Sequence, residues 1–238
     1  MSPAEIHHGH RDVSGGWLRP AVFGASDGLV SNLALIAGVA GGTSAANTGG
    51  ATAVALAGLA GLAAGAFSMA VGEYVSVASQ TELAQAEIES ERRELAERPD
   101  AELAELTQAY VNRGLDPVLA GQVAEELSRD SDRALEVHVR EELGLDPADL
   151  PSPWLAAISS FLAFTVGAAI PVLPYLLGAQ VLWPTIVLSL IALFVVGVLV
   201  ARITVRPWWY SGLRQMLLGG AAATLTFAFG SLVGGGLG

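Results

Sequence analysis

Inside the first long, mostly apolar run, 17–40, stands a single acidic residue, Asp27, seven positions past Pro20. A carboxylate at the centre of a bilayer costs about 2.5–3.5 kcal/mol on insertion scales, so such a group normally faces a bundle interior or a wet path. There a cation or a proton can neutralise it. Aspartate is too short to snorkel far toward the interface. Ser31 and Asn32 follow about one turn later and offer oxygen atoms, either as ligands or as hydrogen-bonding groups between helices. In the second apolar run Met69 and Glu73 are spaced i, i+4 and share a helix face. A thioether is a soft ligand and a carboxylate a hard one, so the pair suits a borderline ion such as Fe2+. Core packing is the ordinary role of a lone methionine. The company of Asp27 is what makes Asp27, Asn32, Met69 and Glu73 a candidate path for an ion.

A second constellation lies in the middle of the chain. Glu87, Glu91 and Glu94 fall at i, i+4, i+7 on one helical face, Glu102 and Glu105 at i, i+3, and His138 and Glu142 at i, i+4. Carboxylates from facing helices joined by one imidazole form a donor set for divalent iron or manganese. Like charges cannot be packed together cheaply without a cation between them. The same spacings also occur on acidic helices that only present a solvated face. His7, His8 and His10 could bind metal from the N-terminal tail, although a His-containing tail that binds nothing in particular is the commoner case.

These residues must be positioned by helices of two kinds. Five apolar runs, 17–40, 51–77, 154–177, 181–201 and 208–232, are each long enough to cross a bilayer, which takes roughly 20 residues. Only 15% of the 238 residues are charged and the mean hydropathy is +0.51, against about 25% charged in soluble domains. Between Glu82 and Asp149 stand 19 of the 23 acids and 7 of the 12 arginines, a local balance of −12. The sequence predicts that the second run continues without Gly or Pro into this block as one long helix to Arg98. Asp100 is then expected to cap a helix over 101–113, Asp116-Pro117 to open another, and Gly144 to end the last. The polar first 17 residues and the long first run do not read as a secretory signal. Without cysteine, disulfides and thiolate metal sites are excluded. An acidic block of this size argues against nucleic acid as a partner. Arginines flank the same side of every run, which places the N-terminus and the acidic block in the cytoplasm by the positive-inside rule. The expected fold is all-α, a polytopic membrane protein with five transmembrane helices and a cytoplasmic helical domain between spans 2 and 3. Its expected segments are a flexible tail (1–16), spans 1–2 (17–81), an acidic metal-binding domain (82–150) and spans 3–5 (151–238). Gly24 and Gly28, Gly61 and Gly65, and Gly230 and Gly234 are spaced i, i+4 and suit a dimer interface.

The stretch Phe23-Gly24-Ala25-Ser26-Asp27-Gly28-Leu29-Val30-Ser31-Asn32 resembles the first-span motif of the vacuolar iron transporter family. So does Ser68-Met69-Ala70-Val71-Gly72-Glu73-Tyr74-Val75-Ser76-Val77 with the glutamates that follow it, and Tyr110-Val111-Asn112-Arg113-Gly114-Leu115 is similar to bacterial members. The resemblance covers nearly the whole chain from Trp17 onward. It implies a five-span homodimer that exports Fe2+, and often Mn2+, from the cytoplasm in exchange for protons. It implies a path at the dimer interface lined by Asp27 and Met69, and a cytoplasmic metal site using Glu91, Glu94, Glu102, Glu105 and Glu142. Where the plant pattern has Met, this chain has His138, which puts an imidazole in place of a thioether.

The expected function is therefore that of a proton-coupled antiporter for Fe2+, and Mn2+ with it, in the inner cell membrane, serving iron detoxification and homeostasis. Its partners are divalent metal ions, protons, the lipid bilayer and a second copy of the chain, and it needs no organic cofactor. A membrane-anchored di-iron ferroxidase is the enzymatic alternative. Ferritin-type sites prefer Glu-x-x-His, whereas position 135 is Leu and His138 precedes Glu142. A metal buffer or sensor without flux is the other alternative, and an anchor has no need of a buried acid at Asp27.

Overall fold

The structure, a computed structural model, describes residues 16–46, 50–202 and 206–237. The tail histidines His7, His8 and His10 lie outside them. The described chain is helical throughout and has no strand. In order it forms α1 (Leu18–Ala45), α2 (Ala51–Glu97), α3 (Pro99–Asn112), α4 (Pro117–Leu127) and α5 (Ser131–His138). A π-helical turn (Val139–Leu143) follows, then α6 (Pro153–Leu176), α7 (Trp183–Ala201) and α8 (Trp208–Leu237). Five of these helices, α1, α2, α6, α7 and α8, are long and apolar enough to span a membrane. The chain divides into two compact units, 1–74 with 153–238, and 75–152. Helix α2 contributes residues to both.

In the first unit α1 is the central helix and packs against α6, α7 and α8. Leu29, Leu33, Ile36, Ala37 and Ala40 repeat at helical spacing and are all buried. They join Leu193 and Ala223 on one side and Val54, Val172 and Tyr175 on the other. Between apolar helices in lipid there is little hydrophobic drive, so close backbone approach and interhelical hydrogen bonds must supply the attraction. Glycine allows that approach here. A Cβ on Gly28 would collide with the Phe164 carbonyl of α6, and one on Gly230 or Gly234 with the Gly38 or Gly42 carbonyl of α1. Thr226 Oγ1 also donates across the α1–α8 seam to the Ala34 carbonyl at 2.8 Å. Gly61 and Gly65 of α2 admit Leu35 and the Phe164 ring. The three glycine pairs expected to suit a dimer interface are thus used within the chain, because a small face binds whichever helix reaches it. Leu56, Phe67 and Val71 on α2 and Leu225, Phe229 and Leu232 on α8 are exposed, apolar faces that no other described helix covers.

The second unit takes its shape from turn chemistry. Asp116 caps α4, accepting from the Val118 and Leu119 N–H groups, and Asp130 caps α5 through the Arg133 N–H at 2.9 Å. The expected cap at Asp100 does not form. Pro99 occupies the first position of α3, where its missing N–H costs nothing, so the helix begins earlier and Asp100 falls in its first turn. The helix begun by α5 widens into the π turn and stops at Gly144, whose φ of 65° is the left-handed conformation that glycine adopts freely.

Candidate metal sites

In the first unit, a cavity of about 250 Å³ opens between α1, α2 and α6. Asp27, Ser31, Asn32, Gly61, Ser68 and Met69 line it, with Leu35, Gly65 and Phe164. Asn32 is only 2% exposed. Its Nδ2 donates to the Ala168 carbonyl at 2.6 Å, which fixes the amide so that Oδ1 stays on the side away from α6. That Oδ1 is buried and has no hydrogen-bond partner, and it faces Gly61, where an added Cβ would come within 2.9 Å of it. A buried acceptor left unsatisfied costs about 1–3 kcal/mol, so a cation or a donor at this point is favoured. The Ser31 hydroxyl donates to the Asp27 carbonyl at 2.6 Å and keeps its lone pairs. The cavity therefore offers one carboxylate, amide and hydroxyl oxygens and a thioether, a donor set for a borderline divalent ion rather than a strictly hard one.

In the second unit, Glu91, Glu102, His138 and Glu142 bring four donor atoms within 4.8 Å of one another. His138 Nδ1 lies 3.0 Å from Glu91 Oε1, 3.1 Å from Glu142 Oε1 and 3.9 Å from Glu102 Oε2. With metal–donor bonds of about 2.0–2.3 Å, adjacent donors in a coordination shell stand about 3 Å apart and opposite ones about 4–4.6 Å apart. The distances from His138 Nδ1 to the three carboxylates fit that spacing closely. The imidazole is completely buried, the Glu91 and Glu102 side chains are 9% and 5% exposed, and Glu142 at 31% forms the open rim. The approach of Glu91 Oε1 to Nδ1 is not a hydrogen bond. One nitrogen cannot serve both glutamates with a single proton, whereas one cation can. Burial raises the Glu142 carboxyl above its ordinary value, and the nearby charge of Glu105 adds to the shift, against the stabilising pull of His138.

A family model described as the VIT family matches residues 18–231. The chain belongs to the VIT family. It is 42% identical over 175 residues to a "Vacuolar iron transporter" of Acanthamoeba castellanii, a match covering 73% of this chain and 61% of that protein, less than two thirds of its length. It is 30% identical over 233 residues to "Vacuolar iron transporter 1" of Oryza sativa subsp. japonica, covering 95% of this chain and 90% of that one. Against "Vacuolar iron transporter 1" of Arabidopsis thaliana the identity is 29% over 231 residues.

In this VIT-family chain the remaining candidate residues fall elsewhere. Glu87 is exposed. Glu94 pairs with Arg98 at 3.0 Å. Glu105 is exposed and reaches the four-residue cluster only through its charge on Glu142. Neighbouring Glu141 pairs with Arg113 instead of joining the cluster. Met69 lines the Asp27 cavity, and Glu73, one turn further along α2, lines another with Arg19 and Arg214. Four residues rise about 6 Å along a helix, enough to put them at different depths. Ser68 also lines the Asp27 cavity and is not among the residues expected there. The signal was present: Gly61, Gly65 and Ser68 make a stripe of small residues at i, i+4, i+7 on α2.

Proposed function

We propose that this VIT-family chain transports Fe2+, and Mn2+ with it, across a membrane, exporting the ion from the cytoplasm in exchange for protons. The observation that carries the reading is the cavity in the apolar bundle where Asp27, the unpaired Asn32 Oδ1 and Met69 converge. A helix bundle that served only as an anchor would have no reason to meet the insertion cost of Asp27. The names of the relatives, vacuolar iron transporters, support iron as the cargo. The cluster of Glu91, Glu102, His138 and Glu142 fits the collecting site of a cytoplasmic metal-binding domain over 82–150, with Glu87, Glu94 and Glu105 adding charge around it. In this reading the protein is a homodimer in the inner cell membrane. The exposed apolar face of α2, with Leu56, Phe67 and Val71, supports pairing with a second copy.

Proton coupling follows from competition. A proton and a divalent ion compete for the Asp27 carboxylate, so acid on the receiving side releases the metal and frees the site. Proteoliposomes with an acid interior are expected to take up Fe2+ faster than those without a pH gradient. Asp27→Asn is expected to abolish that uptake, since it removes both the charge and the titrating group. Wild-type flux in this variant would refute the assignment. Oxygen consumption on adding Fe2+ to the protein separates transport from ferroxidase chemistry.

A further inference from the structure

A second cavity in the membrane-spanning unit, of about 510 Å³, sits where α1 and α8 begin and α7 ends. Its polar lining is Arg19, Ser26, Glu73, Ser211, Arg214 and Gln215. Among the described residues neither Arg19 nor Arg214 has an ion pair; Arg214 only stands over the Tyr210 ring, 5.9 Å from its centroid. The first turns of α1 and α8 carry no acidic residue, and Trp17 gives α1 no side-chain cap. The positive N-terminal ends of α1 and α8 outnumber the negative C-terminal end of α7 beside two guanidinium groups without an ion pair. Against these stands the single carboxylate of Glu73, which leaves the pocket one positive charge in excess. Exposed Trp17, Trp208, Trp209 and Tyr210 mark the same end of the bundle, and amphipathic aromatic residues collect at headgroup depth. Phe23 and Val200 give the cavity an apolar wall.

We propose that this cavity is a binding site for an anionic phospholipid. The phosphodiester would sit between Arg19 and Arg214, with Ser26, Ser211 and Gln215 able to donate to its oxygens, and the acyl chains would follow the apolar wall into the bilayer. Guanidinium pairs are suited to phosphate oxygens by geometry as well as charge, and basic pockets between spans commonly hold acidic headgroups. The aromatic belt favours a lipid over a soluble anion, because it sets the pocket at the depth where phospholipid phosphates lie. The inference concerns the bundle end alone and stands whether or not the protein transports iron.

The test uses the full chain purified in neutral detergent, with native mass spectrometry and thermal unfolding as readouts. The probes are phosphatidylglycerol, phosphatidylcholine with the same acyl chains, and glycerol 1-phosphate. Phosphatidylglycerol is expected to stay bound through detergent and raise the unfolding temperature, while the other two do neither. In R19Q/R214Q its affinity should fall at least about tenfold, as expected for losing two arginines worth about 1 kcal/mol each near an anionic headgroup. E73Q should retain more phosphatidylglycerol than the wild type. Equal retention of the two lipids by the wild type would overturn the proposal, as would wild-type retention in folded R19Q/R214Q or weaker retention in E73Q. Protection by glycerol 1-phosphate as strong as by the lipid would replace the lipid site with a soluble phosphate site. The wild-type lipid contrast and E73Q decide the matter even if R19Q/R214Q does not fold.

Discussion

His138 shows how one residue can set the chemistry of a site. It is completely buried, Nδ1 faces three carboxylates, and Nε2 has no hydrogen-bond partner. Its replacement by alanine removes the only nitrogen donor and leaves three carboxylates to repel one another. We predict that His138→Ala weakens Mn2+ binding to the full chain by at least about 10–100-fold, measured by calorimetry, since loss of a mere outer-shell partner of a metal ligand already costs that much. Proton linkage belongs to the same scale. The Glu142 carboxyl is raised in the folded state, so the fold binds its proton more tightly than the unfolded chain does. Without metal, this group therefore favours folding most in acid, below its unfolded value, and that contribution is lost as the pH rises through the raised folded value. Metal binding has the opposite sign, because the ion needs the ionised carboxylate. Through this group the metal-free protein should lose thermal stability as the pH rises above the ordinary carboxylate range, and the temperature gained on adding Mn2+ should grow over the same interval. Thermal melts with and without Mn2+ at each pH check both signs. The spacings marked seven candidate ligands, and folding brings four of them together. Which glutamate of a helical face turns inward depends on where the facing helices cross, and spacing along one helix does not contain that.

At the scale of elements, the glycine seams decide how tightly the bundle closes. Gly230 lies so close to the Gly38 carbonyl that a side chain there must push α8 away from α1. Overpacking of a close seam costs about 1–3 kcal/mol, and here the obstacle is backbone that cannot rotate aside. Gly230→Val is expected to lower the unfolding temperature in detergent, whereas Gly235→Val, facing open space on the same helix, is expected to leave it nearly unchanged. The lengths of the five apolar helices were legible because twenty apolar residues have few other uses in a chain this size. The continuation of α2 to Glu97 was legible too, since no Gly or Pro interrupts it after Gly72. The partner of each glycine seam was not, because a small residue permits approach without naming what approaches. The π turn after His138 was not legible either, since a widened turn arises from packing and leaves no residue signature.

For the whole molecule, charge and apolar surface are segregated along the chain. Nearly all the acids lie between Glu82 and Asp149, and 7 arginines there leave a balance of −12. Such a surface concentrates divalent ions by its field before any specific contact forms, and salt weakens that attraction. Association of Mn2+ with the protein, followed by stopped-flow, should slow by about tenfold between low and high ionic strength, with little change in the dissociation rate. An equal effect of salt on both rates would count against long-range capture.

The two donor sets differ in how much charge they set against the same ion. A divalent cation beside Asp27 meets one carboxylate and several neutral atoms, which leaves it with positive charge uncompensated. The same cation among Glu91, Glu102 and Glu142 meets three carboxylates and is overcompensated. The first arrangement favours short dwell times, as the proposed transport path requires, and the second favours long ones, as the proposed collecting site requires. Adding a carboxylate to the bundle cavity, for example by Asn32→Asp, would lengthen the stay of each ion and slow the proposed transport.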